Sequence, residues 1–313
     1  MSLLINETLL ALANHKPSVV DDANLFCTQY SQVKSLHQED ILLLGASRMQ
    51  TGIDLAVIHQ RFPERRALML AQSGLGTAYP VFLDIVENTT FNGTVILDET
   101  EQTLVSQNYD QEPSIDHCQK FSLDRRLNRH ISTALQSHLM FLNPQSSSLR
   151  LWGNLLVERK LPEPFYTRTL PDRQQFVDYE RAEPTALQAL AQSRLTGIKT
   201  ATNSTSPEEW LAQTRHWQPL VQAFQKRGGT VIFVQLPVSQ ERWAFEKQLM
   251  PPEAYWKRFA ASLDVQSLRF ADFKELSSFS LPDTSHLDQK DKTAFTQAFL
   301  NNLPLPSTSF VHD

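Results

Sequence analysis

Residues 41–52 read ILLLGASRMQTG, and they decide the fold. Four aliphatic residues follow one another without alternation, the pattern of a strand buried on both faces inside a parallel sheet. The run stops at Gly45, and two small residues, Ala46 and Ser47, follow. Next comes IDLAVIHQRF (53–62), in which Leu55, Ile58 and Phe62 recur at helical spacing. A strand, a tight turn and a helix would set the Ser47 hydroxyl at the carboxyl end of a strand, where open parallel sheets hold their ligands. The plain reading of Ser47 is a helix cap, a role that serine fills well. The sharper reading is a nucleophile, which needs a base and an orienting acid from elsewhere in the chain.

The same rhythm continues on both sides of a long interruption. ALMLAQ (67–72) and TVILDET (94–100) read as the second and third strands, joined by a helix over AYPVFLDIVEN (78–88) with proline in its first turn. This β-α-β-α-β order implies parallel strands with right-handed crossovers. Ser206-Pro207-Glu208-Glu209 is a capping box opening a helix with Trp210, Trp217, Leu220, Val221 and Phe224 on its core face, and Gly228-Gly229 ends it. TVIFVQLP (230–237) is the fourth strand. A helix near 252–263 leads to a fifth in SLRFADF (267–273). The final helix runs from after Asp288 to Asn302, with Phe295, Ala298, Phe299 and Leu303 as its buried stripe and Pro304 as its stop.

Residues 101–205 fit no βαβ pattern, and so long a structureless loop would be unusual. They read as a mostly helical insertion between strands three and four. Within it LDRRLNRHISTALQSHLMFL (123–142) is helical, with Leu127, Ile131, Leu135 and Leu139 in line, and its basic residues read as a solvated face. Residues 149–176 are too rich in proline for one long helix. Residues 1–38 form a helical lead-in, so the whole chain, 1–313, reads as one α/β domain.

Composition narrows the function. The chain is 41% hydrophobic and 20% charged with a formal net charge of −5, ordinary for a globular protein and unlike the basic face of a nucleic-acid binder. No apolar run reaches the ~18 residues that read as a membrane span. The start, MSLLINETLLALANHK, has neither a basic leader nor a cleavage pattern. It reads as an amphipathic helix, or as the start of a chain whose membrane anchor lies outside it. The two cysteines, Cys27 and Cys118, are not spaced as a zinc or thioredoxin-type pair. They read either as unrelated buried thiols, the simpler account, or as one disulfide in an exported protein. Gly74-Leu75-Gly76 has Tyr79 where a dinucleotide fingerprint needs its third glycine. GASRMQTG lacks the lysine of a phosphate loop, and Met49 breaks a Gly-x-Ser-x-Gly elbow. No histidine pair has metal-ligand spacing on a helix, so neither a metal nor a cofactor is expected.

Of the nine histidines, His286 has the most suggestive setting. In LPDTSHLDQKDK (281–292), Asp283 precedes it by three residues, just before the last helix. That spacing lets the carboxylate reach the near ring nitrogen and leaves the other free to face Ser47.

Gly45-Ala46-Ser47 after the first strand and Asp283-Thr284-Ser285-His286 near the C-terminus resemble the first and last blocks of the SGNH/GDSL serine hydrolases. The resemblance implies a flavodoxin-like α/β/α sandwich and a triad of Ser47, His286 and Asp283. In AQSGLG (71–76) it implies that the N–H of Gly74 joins that of Ser47 in an oxyanion hole. GASRMQTGID (45–54), LPVSQERW (236–243) and LPDTSHLD (281–288) further resemble a branch of bacterial envelope proteins, and KPSVVDDANLF (16–26) resembles the segment that follows their membrane anchor. An envelope location, association with the membrane through an anchor absent from this chain, and a small-molecule or carbohydrate ester as substrate are implied in the same way.

Two positions depart from the family pattern. Alanine stands at 46 where the family has aspartate, and the third strand runs into Asp98, Glu99 and Thr100 where an asparagine is usual. Asn154, inside the insertion, is a remote substitute. Arg48 is expected to contact an anionic substrate group or, more simply, to brace a carboxylate such as Asp54. The rival reading is a catalytically silent envelope scaffold that binds a protein partner through residues 101–205.

Overall fold

The computed structural model of the protein describes residues 2–74, 76–107, 114–202 and 205–305. Strands β1 (Ile41–Leu44), β2 (Ala67–Met69) and β3 (Thr94–Asp98) precede the insertion. The insertion contributes β4 (Thr167–Thr169) and β5 (Gln175–Val177), and β6 (Thr230–Gln235) and β7 (Gln266–Arg269) follow it. Five strands form one parallel sheet in the order β2-β1-β3-β6-β7, flanked by helices. In register Leu42 faces Leu68 and Val95, and Val95 faces Val231.

Side chains alternate along each strand, so one continuous apolar run feeds two cores. Leu42, Leu44, Val95, Leu97, Val231 and Phe233 enter one, with Phe82, Trp217, Phe224 and Phe259 from the covering helices. Ile41, Leu43, Ile96, Ile232, Val234 and Leu268 enter the other, with Met49, Ile58, Phe295 and Phe299.

Several sequence expectations change in detail. The region after β1 forms two helices, Ser47–Gly52 and Leu55–Arg61, because Asp54 caps the second by accepting from the Ala56 N–H. The helix opened by the Ser206 capping box stops at Gln213. A 3₁₀ turn, Thr214–His216, leads to a second helix, Trp217–Lys226. Trp210 and Trp217 are buried, and their ring N–H groups donate to the carbonyls of Glu101 and Leu104.

Among the described residues the insertion is helical over Ser114–Gln119, Leu123–Gln136, Ser148–Gly153 and Pro184–Lys199, but its proline-rich part also forms the antiparallel hairpin β4–β5. That hairpin is tied to the lead-in and the sheet. Arg173 Nε lies 2.7 Å from Asp21 Oδ1, its Nη1 donates to the Met69 carbonyl, and the Gln50 side chain donates to the Arg173 carbonyl. A side chain mapped by sequence to a solvated face turns inward: Arg129 is buried and pairs with Asp22 at 3.2 Å. The leucines of the same helix turn outward, with Leu123 81% and Leu127 64% exposed and Ile131 and Leu135 exposed with them. The helix is thus seated on the domain by its polar side.

Cys27 and Cys118 are joined in a disulfide, which corrects the simpler reading of two unrelated thiols. It links the helix Ala23–Tyr30 of the lead-in to Ser114–Gln119 of the insertion. None of the described helices is long and apolar enough to cross a membrane.

Candidate active site

The turn after β1 is shaped by a residue with no side chain. Gly45 has φ of +141°, and a Cβ there would lie 2.8 Å from the Asp98 Cβ and 3.0 Å from the Asp98 carbonyl oxygen. Only glycine lets β1 end so close to β3 and still turn into a helix. The cap position of that helix falls on Ala46, whose side chain makes no capping bond, so Ser47 is the first helical residue. The capping role proposed for Ser47 is therefore not the one it takes. Its N–H, at the first helical position, has no acceptor within the helix.

Its Oγ points instead to His286, with Nε2 at 2.7 Å although 239 residues separate the two in sequence. On the far side of the ring Nδ1 lies 2.7 Å from Asp283 Oδ2. Ser47 is half-buried and the His286 side chain is 14% exposed.

The loop carrying the acid and base is tightly built. Asp283 Oδ1 accepts the N–H groups of Ser285 (3.0 Å) and His286 (2.8 Å). Thr284, between Asp283 and Ser285, is buried with φ of +74°, an outlier for a β-branched residue that costs on the order of 1–3 kcal/mol. Its carbonyl accepts the Ser239 N–H at 3.0 Å, tying the loop to the segment after β6.

Burial works against ionisation of Asp283, but the hydrogen bond and charge of His286 and the two backbone N–H groups outweigh it. The carboxyl is held well below the usual carboxylate range. An ionised acid on Nδ1 fixes the tautomer that leaves Nε2 free to take a proton from Ser47.

Residues absent from the sequence reading complete the surroundings of Asp283. Arg194, on the insertion helix Pro184–Lys199, places Nη1 2.6 Å from Asp283 Oδ2 and 2.9 Å from the Asp283 carbonyl oxygen. Tyr179 is buried as well, and burial, then the Asp283 charge, raise its hydroxyl pKa. No spacing rule in the sequence connects these residues to position 283, because they arrive from a different segment of the chain.

Gly74 lies in the exposed turn after β2 with φ of +85°. That segment is joined to the Ser47 turn: the Gln72 N–H donates to the Gly45 carbonyl at 2.9 Å, and the Ser73 hydroxyl to Gln50 Oε1 at 2.7 Å. Arg48 does brace a carboxylate, but it is Asp98. Arg48 Nε lies 3.5 Å from Asp98 Oδ2, and Nη1 donates to the Leu236 carbonyl. Asp54 is engaged elsewhere, capping its helix and accepting from the Thr293 hydroxyl.

The last residue of β3 and the two that follow it are buried. Asp98 accepts the Leu236 N–H and has its pKa raised by burial, against Arg48, that N–H and His286. Glu99 holds the start of the helix Tyr79–Asn88 by accepting from the Ala78 N–H and the Thr77 hydroxyl, and burial pushes its carboxyl up to about 7. Thr100 bonds with Thr103. Asn154 begins a helical turn beyond Ser148–Gly153, a helix that packs on the N-terminal helix Ser2–Leu12. It is not among the hydrogen-bond partners found for Ser47, His286 or Asp283. Compared with known proteins, the chain matches no family model and no curated protein sequence.

Proposed function

We propose that the protein is a serine-dependent ester hydrolase or acyltransferase of the SGNH type, built on a flavodoxin-like sandwich with an insertion at residues 101–205. One observation carries the reading: a continuous relay from Ser47 Oγ through His286 to Asp283, with both hydrogen bonds at 2.7 Å. A serine whose hydroxyl merely capped a helix would have no use for a carboxylate-oriented imidazole.

In this reading Ser47 Oγ attacks the ester carbonyl carbon while His286 Nε2 takes its proton. The N–H groups of Ser47 and Gly74 face the oxyanion, and losing one such donor typically costs about 2.7–4 kcal/mol of barrier. Collapse breaks the carbon–oxygen bond to the alcohol, and His286 returns the proton to the departing oxygen. His286 then draws a proton from water, or from a sugar hydroxyl, which attacks the acyl-serine and releases Ser47. Water makes the reaction a hydrolysis, and a sugar hydroxyl makes it a transfer. Asp283 stays ionised throughout and stabilises the imidazolium. Arg48 serves the scaffold through Asp98, not the substrate. The disulfide supports an oxidising compartment outside the cytoplasm.

Turnover of p-nitrophenyl acetate by the purified protein, beside Ser47→Ala and His286→Ala, tests the reading. Turnover abolished in both variants supports it. A rate unchanged by either variant refutes it.

A second reading has its own support. The outward leucines of Leu123–Gln136 and the lack of an asparagine after β3 fit a non-catalytic envelope scaffold with a protein partner at the insertion. Such a scaffold would keep its partner in Ser47→Ala and lose it when Leu127 is made polar.

A further inference from the structure

We infer that Arg194 is a positioning residue for the triad acid, so that the insertion is a working part of the catalytic centre. This deepens the serine-hydrolase reading above and rests on it.

The Asp283 carboxylate has two oxygens with different duties. Oδ1 is committed to its own loop, accepting from Ser285 and His286 N–H groups. Oδ2 receives His286 Nδ1, and the only further charged group at that oxygen among the described residues is Arg194. A carboxylate held through Oδ1 alone can still swing about its Cβ–Cγ bond. The guanidinium at Oδ2 prevents that swing and keeps Oδ2 aimed at Nδ1.

Arg194 grips the backbone as well. The carbonyl it holds is that of Asp283, in the peptide leading to Thr284, whose positive φ must be maintained by its surroundings. One nitrogen therefore fixes both the side chain of Asp283 and the strained turn that presents His286.

A purely structural role fits less well. The helix Pro184–Lys199 already packs against the helix Gln240–Leu249, and Lys199 lies 3.1 Å from Glu241. The Arg194 side chain is 30% exposed and that of Asp283 only 5%, so the guanidinium reaches inward from the surface. What it controls is the orientation of a nearly buried acid. The other charged groups close to the relay, Asp98 and the Arg48 that braces it, belong to the sheet edge and leave Asp283 to Arg194.

The test compares wild type with Arg194→Ala and Arg194→Lys. The first readout is the downfield proton resonance of the His286 Nδ1–H, identified by its loss in His286→Gln and needing no substrate. The second is the rate at which a fluorophosphonate forms a bond from Ser47 Oγ to phosphorus, with loss of fluoride and transfer of the serine proton to His286. Expected is loss or broadening of the resonance in Arg194→Ala with labelling slowed about a hundredfold. Arg194→Lys should recover both in part. Far-ultraviolet circular dichroism and the urea midpoint identify a variant that fails to fold; Arg194→Lys then decides.

A wild-type resonance that persists unchanged in folded Arg194 variants, or no such resonance in wild type, overturns the inference. If wild-type Ser47 does not label at all, the hydrolase reading fails, and the resonance alone still reports whether Arg194 positions Asp283.

Discussion

Arg48 and Asp98 form an ion pair at the carboxyl edge of the sheet, with Arg48 Nε 3.5 Å from a carboxylate whose side chain is fully buried. The pair joins the residue after the candidate nucleophile to the end of β3, one strand over. Arg48→Ala leaves Asp98 without its cation, and burial already raises its pKa. A carboxyl with a raised folded pKa loses stability as pH climbs above its unfolded value, near 3.8, because the folded state holds the proton that the unfolded state releases. Removing Arg48 raises that folded pKa further. The variant should therefore be nearly as stable as wild type near pH 4 and destabilised by about 1–3 kcal/mol at pH 8. Urea unfolding at the two pH values measures the difference, and an equal loss at both would show that the cation does not act through Asp98.

The Cys27–Cys118 bond closes a stretch of 91 residues between the lead-in and the insertion. Replacing both cysteines with serine should lower stability by about 2–4 kcal/mol. Thermal unfolding with and without a reducing agent checks this. Wild type should lose several degrees on reduction, while the double variant should not respond.

Hydrophobic residues on the two sides of the chain's logic should behave oppositely. Leu127 is exposed on the insertion helix, so Leu127→Gln should change stability by no more than about 0.5 kcal/mol. Leu44 is fully buried beside the Ser47 turn, so Leu44→Ala should cost about 2–5 kcal/mol. Chemical denaturation of the two variants side by side tests whether the helix Leu123–Gln136 is seated by its polar face.

What the sequence disclosed follows from which forces act locally. The strands at 41, 67, 94 and 230 were legible because each is a short apolar run stopped by a turn, and burial on both faces removes the need for alternation. The fifth, Gln266–Arg269, starts on the exposed Gln266 and Ser267 and gives way to a 3₁₀ turn at Phe270–Asp272, so it falls short of the expected 267–273. Ser47, Asp283 and His286 were legible because two of them share one loop and the third sits at a strand end. The insertion was legible only as an interruption. Its hairpin at 167–177 has strands of three residues each, too short to show a period. The inward turn of Arg129 depends on Asp22, and the approach of Arg194 to Asp283 spans 89 residues, so neither leaves a local pattern. The partner of Arg48 was misplaced for a similar reason. Asp54 is near in sequence, but the parallel pairing of β1 with β3 brings Asp98 nearer in space.

The most direct measurement is the site of covalent labelling by a fluorophosphonate, read by peptide mass spectrometry in wild type and in His286→Ala. Expected is a single adduct on Ser47 in the folded wild-type protein, reduced at least about a hundredfold in rate in the variant. An unlabelled Ser47, or labelling that proceeds equally without His286, would contradict the relay as a catalytic device.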